Sequence, residues 1–286
     1  MSAVRKGTAW LKTLGLWALL LGLFGCGGRV ARENTGTAVP LPVIMYHAVL
    51  KDPARTGAYV VTPAQLEADL RWLEEHGYTA VRVEELVDFV YYGIPLPEKP
   101  VLLTFDDGHL NTLTYAVPLL KQYGMTAVVS VVGEYTRAYS QKPDPNPNYA
   151  YLTWEDLRLA AEEGVLEVAN HSDTMHRQGT RKGCGRLPGE SDEAYRLALT
   201  RDVTALQQAL WQNCGVACKV FTYPFGNVAK GAEEILRGLG FTCTLSCEEK
   251  INQLTFGDGE SLFLLGRYNR SGKLSTEGFM KKMGLE

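Results

Sequence analysis

The segment Val101-Leu102-Leu103-Thr104-Phe105-Asp106-Asp107-Gly108 decides how the rest of this chain is organised. Its continuous apolar run is typical of a strand that is covered on both faces. Gly108 allows a sharp turn that would strain a bulky residue. Asp106 and Asp107 then stand side by side at the end of the strand, where their mutual repulsion raises one pKa unless a cation neutralises one of them. The segment therefore predicts a buried strand that ends either in a charged site or in a solvated turn.

Strand and helix patterns alternate on both sides of this segment. Thr62 and Pro63, for example, have the residue types of a helix N-cap and first turn, and Gly77 follows as a stop signal. The predicted strands are 42–48, the Val101 strand, 126–132, 165–169, 219–223, 242–246 and 262–268. The predicted helices are 63–76, 83–92, 110–123, 153–163, 191–213, 233–239 and 276–283, with long loops at 137–149 and 177–190. This alternation indicates an α/β fold with parallel strands and helical crossovers, either open or closed into a barrel.

A second polar cluster follows a later strand. Residues 167–176 read Glu-Val-Ala-Asn-His-Ser-Asp-Thr-Met-His and contain two of the five histidines of the chain. Imidazole is the commonest transition-metal ligand in proteins. In a β/α barrel, residues at the carboxyl ends of the strands meet at one face, so the histidines and the two aspartates are expected close together. A chance pair of core or surface histidines is the alternative.

Three motifs together carry a family resemblance. Thr104 to Gly108, His171-Ser172 through His176, and Tyr223-Pro224-Phe225-Gly226 resemble the successive motifs of the polysaccharide deacetylases, carbohydrate esterase family four. The resemblance spans roughly Pro42 to the C-terminus. It implies a distorted (β/α) barrel with about seven parallel strands, and an open doubly wound sheet is the alternative.

The resemblance also implies a metal centre. In the family, the second aspartate of the first motif and the two histidines hold a divalent metal, which makes Asp107, His171 and His176 the expected ligands. Asp106 is then the expected base that activates water. Three protein ligands with an open position are the usual form of a catalytic zinc site, so Zn²⁺ is the expected ion. Such an ion lowers the pKa of its water and polarises the acetyl carbonyl.

His47 is the predicted proton donor for the departing amine, which is a very poor leaving group when unprotonated. It ends the first predicted strand, and no histidine follows His176. The commoner family members place this donor near the C-terminal end of the domain. A donor at the front resembles the biofilm poly-N-acetylglucosamine deacetylases. The alternative is that His47 only fills a strand end, and His109 and His76 are expected outside the site.

Two features depart from the usual family pattern. His171 and His176 are five residues apart rather than four, a spacing that suits neither one helical face nor one strand face and that also resembles the biofilm subgroup. The third motif has no arginine ahead of Pro224, and Arg267 is a candidate for the charge that orients Asp106. Pro224 and Phe225 are the expected substrate-binding residues, with the backbone N–H of Phe225 donating to the oxyanion.

The N-terminus has the pattern of a targeting segment rather than of part of the folded domain. Basic residues precede an apolar run over 14–24, which is the length of a signal-peptide core and short for a membrane span. Leu23-Phe24-Gly25-Cys26 resembles the bacterial lipoprotein cleavage box, with ordinary secretion or an uncleaved anchor as the alternative. The expected organisation is a signal peptide at 1–26, a linker at 27–41 and a catalytic domain at 42–286. The protein is therefore expected outside the cytoplasm, anchored to a membrane through a lipid on Cys26.

Composition sets further limits. The chain has 286 residues, of which 45% are hydrophobic and 21% charged, as in ordinary globular proteins. Removing the three basic residues before Cys26 takes the net charge from −3 to −6, which argues against nucleic acid as a partner. The five cysteines after Cys26 allow at most two internal disulfides, or free thiols. The sequence does not set the oligomeric state.

The predicted function is metal-dependent removal of N-acetyl groups from a polysaccharide. Poly-N-acetylglucosamine, peptidoglycan and chitin-like glycans are the candidate substrates. A glycan O-acetyl esterase with the same site is one alternative, because an ester leaving group needs less help from an acid. A carbohydrate-binding lipoprotein without activity is the other, although a binding module needs neither a base nor a proton donor.

Overall fold

The computed structural model describes residues 38–285 of the chain. The predicted signal peptide, Cys26 and most of the predicted linker lie outside the described residues. Within 38–285, no helix is both long enough and apolar enough to cross a membrane. Within the described residues, the first strand starts at Val39, inside the predicted linker.

The described part of the chain contains twelve strands, which are short and mostly buried. In chain order they are β1 (Val39–Leu41), β2 (Val43–Tyr46), β3 (Ala48–Val49), β4 (Val60–Val61), β5 (Thr79–Ala80), β6 (Pro100–Phe105), β7 (Ala127–Val131), β8 (Leu166–Asn170), β9 (Val220–Thr222), β10 (Cys243–Leu245), β11 (Asn252–Leu254) and β12 (Tyr268–Asn269). All six residues of β6 and all five of β7 are buried, as expected for strands covered on both faces.

Between residues 38 and 285, eight α-helices connect or cover these strands. They are α1 (Pro63–Glu75), α2 (Val83–Tyr92), α3 (Val117–Gln122), α4 (Gly133–Gln141), α5 (Trp154–Glu162), α6 (Asp192–Cys214), α7 (Ala232–Gly238) and α8 (Thr276–Lys282). The predicted cap at Thr62 is confirmed, since its side chain accepts from the backbone N–H of Gln65 in a full capping box. Thr153 caps α5 in the same way with Asp156.

One parallel sheet organises the molecule. Its seven strands lie in the order β10-β9-β8-β7-β6-β2-β12, and β5 adds to the start of β6. The two edges approach each other through the segment before β12. Leu265 bridges to Leu245 of β10, while Tyr268 pairs with Ile44 of β2. The sheet therefore curls into a distorted (β/α) barrel with seven parallel strands, which confirms the predicted fold class.

The core has two layers because successive strand residues point to opposite faces. Val101 and Leu103 of β6 pack in a large cluster with the helices, whereas Leu102 packs in a smaller one. Val43 and Val128 of the neighbouring strands also lie in the smaller cluster, together with buried residues of α2. The smaller cluster fills the inside of the curled sheet and leaves the strand ends free to carry a site.

Two element predictions were wrong. The predicted loop at 137–149 begins with a helix, because α4 continues to Gln141. The predicted strand at 262–268 is largely irregular: a 3-10 turn covers Gly259–Leu262, and Leu264 has a left-handed backbone with φ 54°. Within this range only Tyr268 belongs to a strand, β12, and Leu265 adds an isolated bridge to β10.

Candidate active site

The carboxyl ends of the parallel strands enclose a cavity of about 570 Å³. Asp106 and Asp107 follow β6, His171 follows β8, and His47 follows β2. The residues that line the cavity are Met45, His47, Ala48, Tyr59, Val60, Asp106, Asp107, His109, His171, His176, Gln178, Lys182, Phe225, Cys247 and Asn269. Gln178 and Lys182 come from the 177–190 loop, which therefore flanks the site.

Asp107, His171 and His176 form a compact donor set. One ligand atom from each residue lies within 4.8 Å of the others. The carboxylate oxygen Oδ1 of Asp107 lies 3.2 Å from Nε2 of His176 and 3.7 Å from Nε2 of His171. Two imidazole nitrogens and one carboxylate oxygen are suitable ligands for zinc and leave a fourth position open. The three side chains thus fit a divalent cation.

His171 is held in the tautomer that a metal requires. Its Nδ1 lies 2.8 Å from the backbone oxygen of Thr222, a distance at which Nδ1–H donates to the carbonyl. The lone pair is then left on Nε2, which faces Asp107. Burial lowers the pKa of His171 to about 4, so the ring is neutral at physiological pH. A neutral imidazole is the form that binds metals.

An irregular loop brings the two histidines together despite their five-residue spacing. The buried carboxylate of Asp202 in α6 accepts from the backbone N–H groups of Asp173 and Thr174, at 2.8 and 2.9 Å, and from the hydroxyl of Thr174 at 2.7 Å. Ser172 turns the chain with a left-handed φ of 72°. The loop can therefore fold back so that His176 faces His171, with ring centroids 4.8 Å apart.

Asp106 is 2% exposed and paired with a buried arginine. Two nitrogens of Arg267 donate to its two carboxylate oxygens at 2.7 and 2.8 Å. Burial alone would raise the pKa of Asp106, but the charge of Arg267, with a smaller contribution from His171, lowers it below the ordinary value. Arg267 thus supplies the charge that the third motif lacks, and Asp106 is ionised.

His47 lines the cavity at the end of β2. Its ring meets the half-exposed ring of Tyr59 edge-on, with centroids 4.8 Å apart. Its buried Nδ1 has no hydrogen-bond partner in the part of the chain that the structure describes. Burial lowers the pKa of His47, while the negative charges of Asp106 and Asp107 oppose that effect. The ring is therefore placed beside both carboxylates.

The two expected substrate-binding residues occupy different positions. Phe225 lines the cavity, with its ring centroid 4.6 Å from that of His176. Its backbone is left-handed, with φ 58° in a 3-10 turn over Pro224–Gly226. Pro224 is buried and is not among the residues that line the cavity.

His109 was wrongly expected outside the site. Its Nε2 lies 3.4 Å from Oδ2 of Asp107, on the oxygen that does not face the other two histidines. Backbone hydrogen bonds on both sides of it, from Leu110 to Ala150 and from Leu152 to Gly108, tie this turn to residues 150–152. The helical pattern after Gly108 did not show that His109 belongs to the site, because the pattern does not reveal that the His109 side chain points back toward the end of the strand.

The five cysteines in the described part of the chain are all free thiols. Cys184, Cys218 and Cys243 are buried in the core. Cys247 lines the cavity, and its Sγ lies 3.8 Å from a terminal nitrogen of Arg267. Within 38–285, the cysteines therefore neither crosslink the fold nor join the metal donor set.

Comparison with known proteins gives a family match. The model of the polysaccharide deacetylase family matches residues 93–244. The chain is 27% identical over 241 residues to the poly-beta-1,6-N-acetyl-D-glucosamine N-deacetylase of Escherichia coli, an alignment that covers 76% of this chain and 36% of the relative. The chain thus spans about a third of the length of that relative.

Two solved structures share the fold. The de-N-acetylase from Aggregatibacter actinomycetemcomitans superposes with a TM-score of 0.71 at 22% identity, covering 85% of this chain and 99% of that one. IcaB from Ammonifex degensii superposes with a TM-score of 0.67 at 24% identity, covering 83% of this chain and 94% of that one. Both similarities extend over nearly the whole described domain.

Proposed function

The chain belongs to the polysaccharide deacetylase family, and from this premise we propose that it hydrolyses the N-acetyl groups of an extracytoplasmic polysaccharide with a divalent metal, Zn²⁺, at Asp107, His171 and His176. The observation that carries the proposal is one cavity lined by these three residues, by the arginine-paired carboxylate of Asp106 and by the half-buried His47. A binding module needs no such combination. The E. coli relative named for poly-beta-1,6-N-acetyl-D-glucosamine makes that polymer the first substrate to test.

Asp106 is proposed as the base. Each carboxylate oxygen has two lone pairs, and Arg267 occupies one on each oxygen. The remaining lone pairs can accept the proton of the attacking water. A bound divalent ion supplies Lewis acidity and a lowered pKa of that water. Arg267 keeps Asp106 ionised and holds its orientation, so little reorganisation precedes proton transfer.

His47 and Phe225 are proposed to act on the substrate. His47, in its protonated form, donates a proton to the amide nitrogen as the bond to the acetyl carbon breaks, so the amine leaves neutral. The acetic acid product gives its proton to solvent and leaves as acetate, and the proton that Asp106 took from water restores the protonated His47. The backbone N–H of Phe225 donates to the oxygen that becomes negative during the attack. Its position beside His176 supports this role, and Pro224 shapes the turn that presents it.

The proposed location is outside the cytoplasm, with a lipid on Cys26 as the membrane anchor. The support is the sequence pattern of 1–26 together with a substrate class that lies outside the cell. Replacing Cys26 by serine removes the thiol that a lipid would modify. Unchanged lipid labelling of that variant in cells would contradict the anchor.

Acetate release from defined glycans tests the function. Oligomers of β-1,6-linked N-acetylglucosamine, peptidoglycan fragments and chitin oligomers are incubated with the full chain, before and after chelation and after adding zinc back. Acetate release is expected from at least one N-acetylated glycan, with loss on chelation and recovery with zinc. Release from O-acetylated glycans alone would establish the esterase, and no release from any glycan would contradict the proposed activity.

Replacing His47 by asparagine tests the proton donor. The variant is expected to lose about a hundredfold to ten-thousandfold in kcat on an N-acetyl substrate, because the departing amine requires a proton. An activated aryl ester leaves as a stable phenolate, so its hydrolysis is expected to fall far less. Equal losses on both substrates would exclude His47 as the donor.

A further inference from the structure

A strip of aromatic rings leads away from the metal donor set. The ring centroid of Tyr135 lies 6.2 Å from that of His176 and 4.6 Å from that of Tyr151. Tyr151 in turn lies 4.8 Å from His109 and 5.5 Å from Tyr139. The strip is therefore continuous with the catalytic cavity. The proposed reaction of a single N-acetyl group does not require it.

A second cavity of about 720 Å³ lies along this strip. Tyr151 lines it, and so does Leu110, which directly follows the His109 that lines the first cavity. The residues around it are Leu110, Thr114, Ser140, Pro143, Asp144, Pro145, Tyr151, Thr153, Trp154, Glu155, Asp156 and Asn213. Every charged residue in this set is acidic. The cavity thus combines aromatic faces with negative charge.

Tyr149 and Asp144 lie at the outer end of the strip, where hydrogen bonds hold them in place. Tyr149 is 54% exposed, and its hydroxyl donates to a carboxylate oxygen of Asp144 at 2.9 Å. The other oxygen of Asp144 accepts from the backbone N–H of Asn146 at 2.9 Å. The hydroxyl of Tyr139 donates to the backbone oxygen of Tyr149 at 3.4 Å. An exposed aromatic ring held by such contacts loses little conformational freedom when a ligand packs on it.

Within 38–285, the carboxylate of Asp144 makes no ion pair. Its two partners in the loop are neutral groups, a hydroxyl and a backbone N–H. Glu155 differs, because both of its oxygens pair with Arg158 at 2.7 and 2.9 Å. Asp144 is therefore the carboxylate at the outer end that can attract a cation. The contacts run from His176 through Tyr135, Tyr151 and Tyr139 to the Tyr149–Asp144 pair, so a sugar unit bound at Asp144 is a different unit of the chain from the reacting one.

We propose that the Tyr149–Asp144 end of this strip is a second glycan subsite, which binds a free-amine hexosamine unit of the same chain whose next N-acetyl group lies in the catalytic cavity. The proposal rests on the proposed function. Pyranose rings present apolar C–H faces that pack on aromatic rings. Removal of an acetyl group turns a neutral amide into a basic primary amine, whose ammonium form donates well to a carboxylate.

The subsite has a consequence for substrate choice. A fully N-acetylated chain offers only neutral amides to Asp144, whereas a partly deacetylated chain offers an ammonium group. The enzyme is therefore expected to bind partly deacetylated chains more tightly, so that each product unit helps to hold the chain for the next reaction. The expected signature is a lower KM on such chains at an unchanged kcat.

Direct binding tests the subsite without turnover. The zinc-loaded full chain is titrated calorimetrically with a β-1,6-linked hexamer of glucosamine, which has no acetyl group to lose. Tyr149→Ala is expected to weaken binding about fivefold through loss of ring contact. Asp144→Asn is expected to weaken it about threefold, an effect that added salt removes. Tyr92→Ala is the matched control, since Tyr92 is 74% exposed on α2, and its binding is expected to equal that of the wild type.

Acetate release then separates the subsite from the reaction. The KM for an N-acetylated hexamer with one free amine is compared with that for the fully N-acetylated hexamer, and Asp144→Asn is expected to remove the difference. Equal binding by all four proteins, or a preference that survives Asp144→Asn, would overturn the subsite while leaving the reaction intact. Variant-dependent binding without acetate release from any glycan would instead overturn the proposed function and leave the subsite standing.

Discussion

The protein contains two buried arginine–carboxylate pairs that have different roles, although their arginines are close in sequence. Arg267 holds Asp106 at 2.7 and 2.8 Å, and Arg270 holds Asp69 at 2.7 and 3.0 Å. Both arginines are at most 1% exposed, and they flank β12. Both contacts are two-point and of similar length, although Arg267 donates through its two terminal nitrogens and Arg270 through Nε and one terminal nitrogen.

The pairs differ in what else reaches the carboxylate. Asp69 also accepts the hydroxyl of Tyr46 at 3.0 Å and that of Thr276 at 2.7 Å, so four donors surround it and it is fully buried. Asp106 accepts side-chain donors from Arg267 and faces the cavity. A carboxylate whose acceptor sites are filled can only fix the structure. One with lone pairs that face a cavity is available for proton transfer.

Breaking the Asp69 pair should give the largest effect on stability. Arg270→Met leaves Asp69 buried without its cation, and the free energy of unfolding is expected to fall by about 3–5 kcal/mol, as for other broken buried pairs. Its kcat is expected to stay near that of the wild type at a temperature where the variant is folded. Urea unfolding and acetate release measure the two quantities.

Arg158→Met is the matched control for that variant. Arg158 pairs with Glu155 and Glu162 on the surface of α5, where a pair contributes about 1 kcal/mol or less. Equal destabilisation by the two variants would contradict the structural role given to the Asp69 pair.

Breaking the Asp106 pair should move a pH profile. A base works as the carboxylate, so kcat/KM rises as pH rises through the pKa of Asp106. Arg267→Met removes the charge that lowers this pKa and leaves burial, which raises it. The rising limb is therefore expected to move to higher pH by about one unit or more. Arg270→Met should leave the rising limb of the pH profile at the pH of the wild type. If the rising limb of Arg267→Met also stays there, Arg267 does not set the pKa of the base.

Much of the fold could be predicted because its signals are local. Thr62 caps α1 through a contact three residues away, and the apolar run of β6 needs no partner to be recognised. The helix α4 was not predicted because Val132, at its N-cap position, makes no side-chain cap. The strand predicted over 262–268 failed because its apolar residues pack in the core through a left-handed turn at Leu264.

The site was predictable where motif residues follow strands, and less so where contacts are distant. Asp106 and Arg267 are 161 positions apart in the sequence. The sequence therefore suggested Arg267 as the source of positive charge, but not that it contacts both carboxylate oxygens of Asp106. His109 was excluded because a helical pattern does not show which way its first residue points. The five-residue spacing of the histidines is explained by Asp202, a residue distant in sequence. Its carboxylate accepts from two backbone N–H groups of the intervening loop and so holds the loop in the shape that brings the histidines together.

The central claim is that Asp107, His171 and His176 bind the metal and that Asp106 acts as the base. The most direct test measures zinc content and acetate release on the same samples of two variants. Asp106→Asn is expected to retain about one zinc per chain and to lose a hundredfold or more in kcat, because an amide does not accept the proton of water. His176→Ala is expected to lose most of its zinc. Loss of zinc from Asp106→Asn, retained turnover in that variant, or full zinc occupancy in His176→Ala would contradict this division of roles.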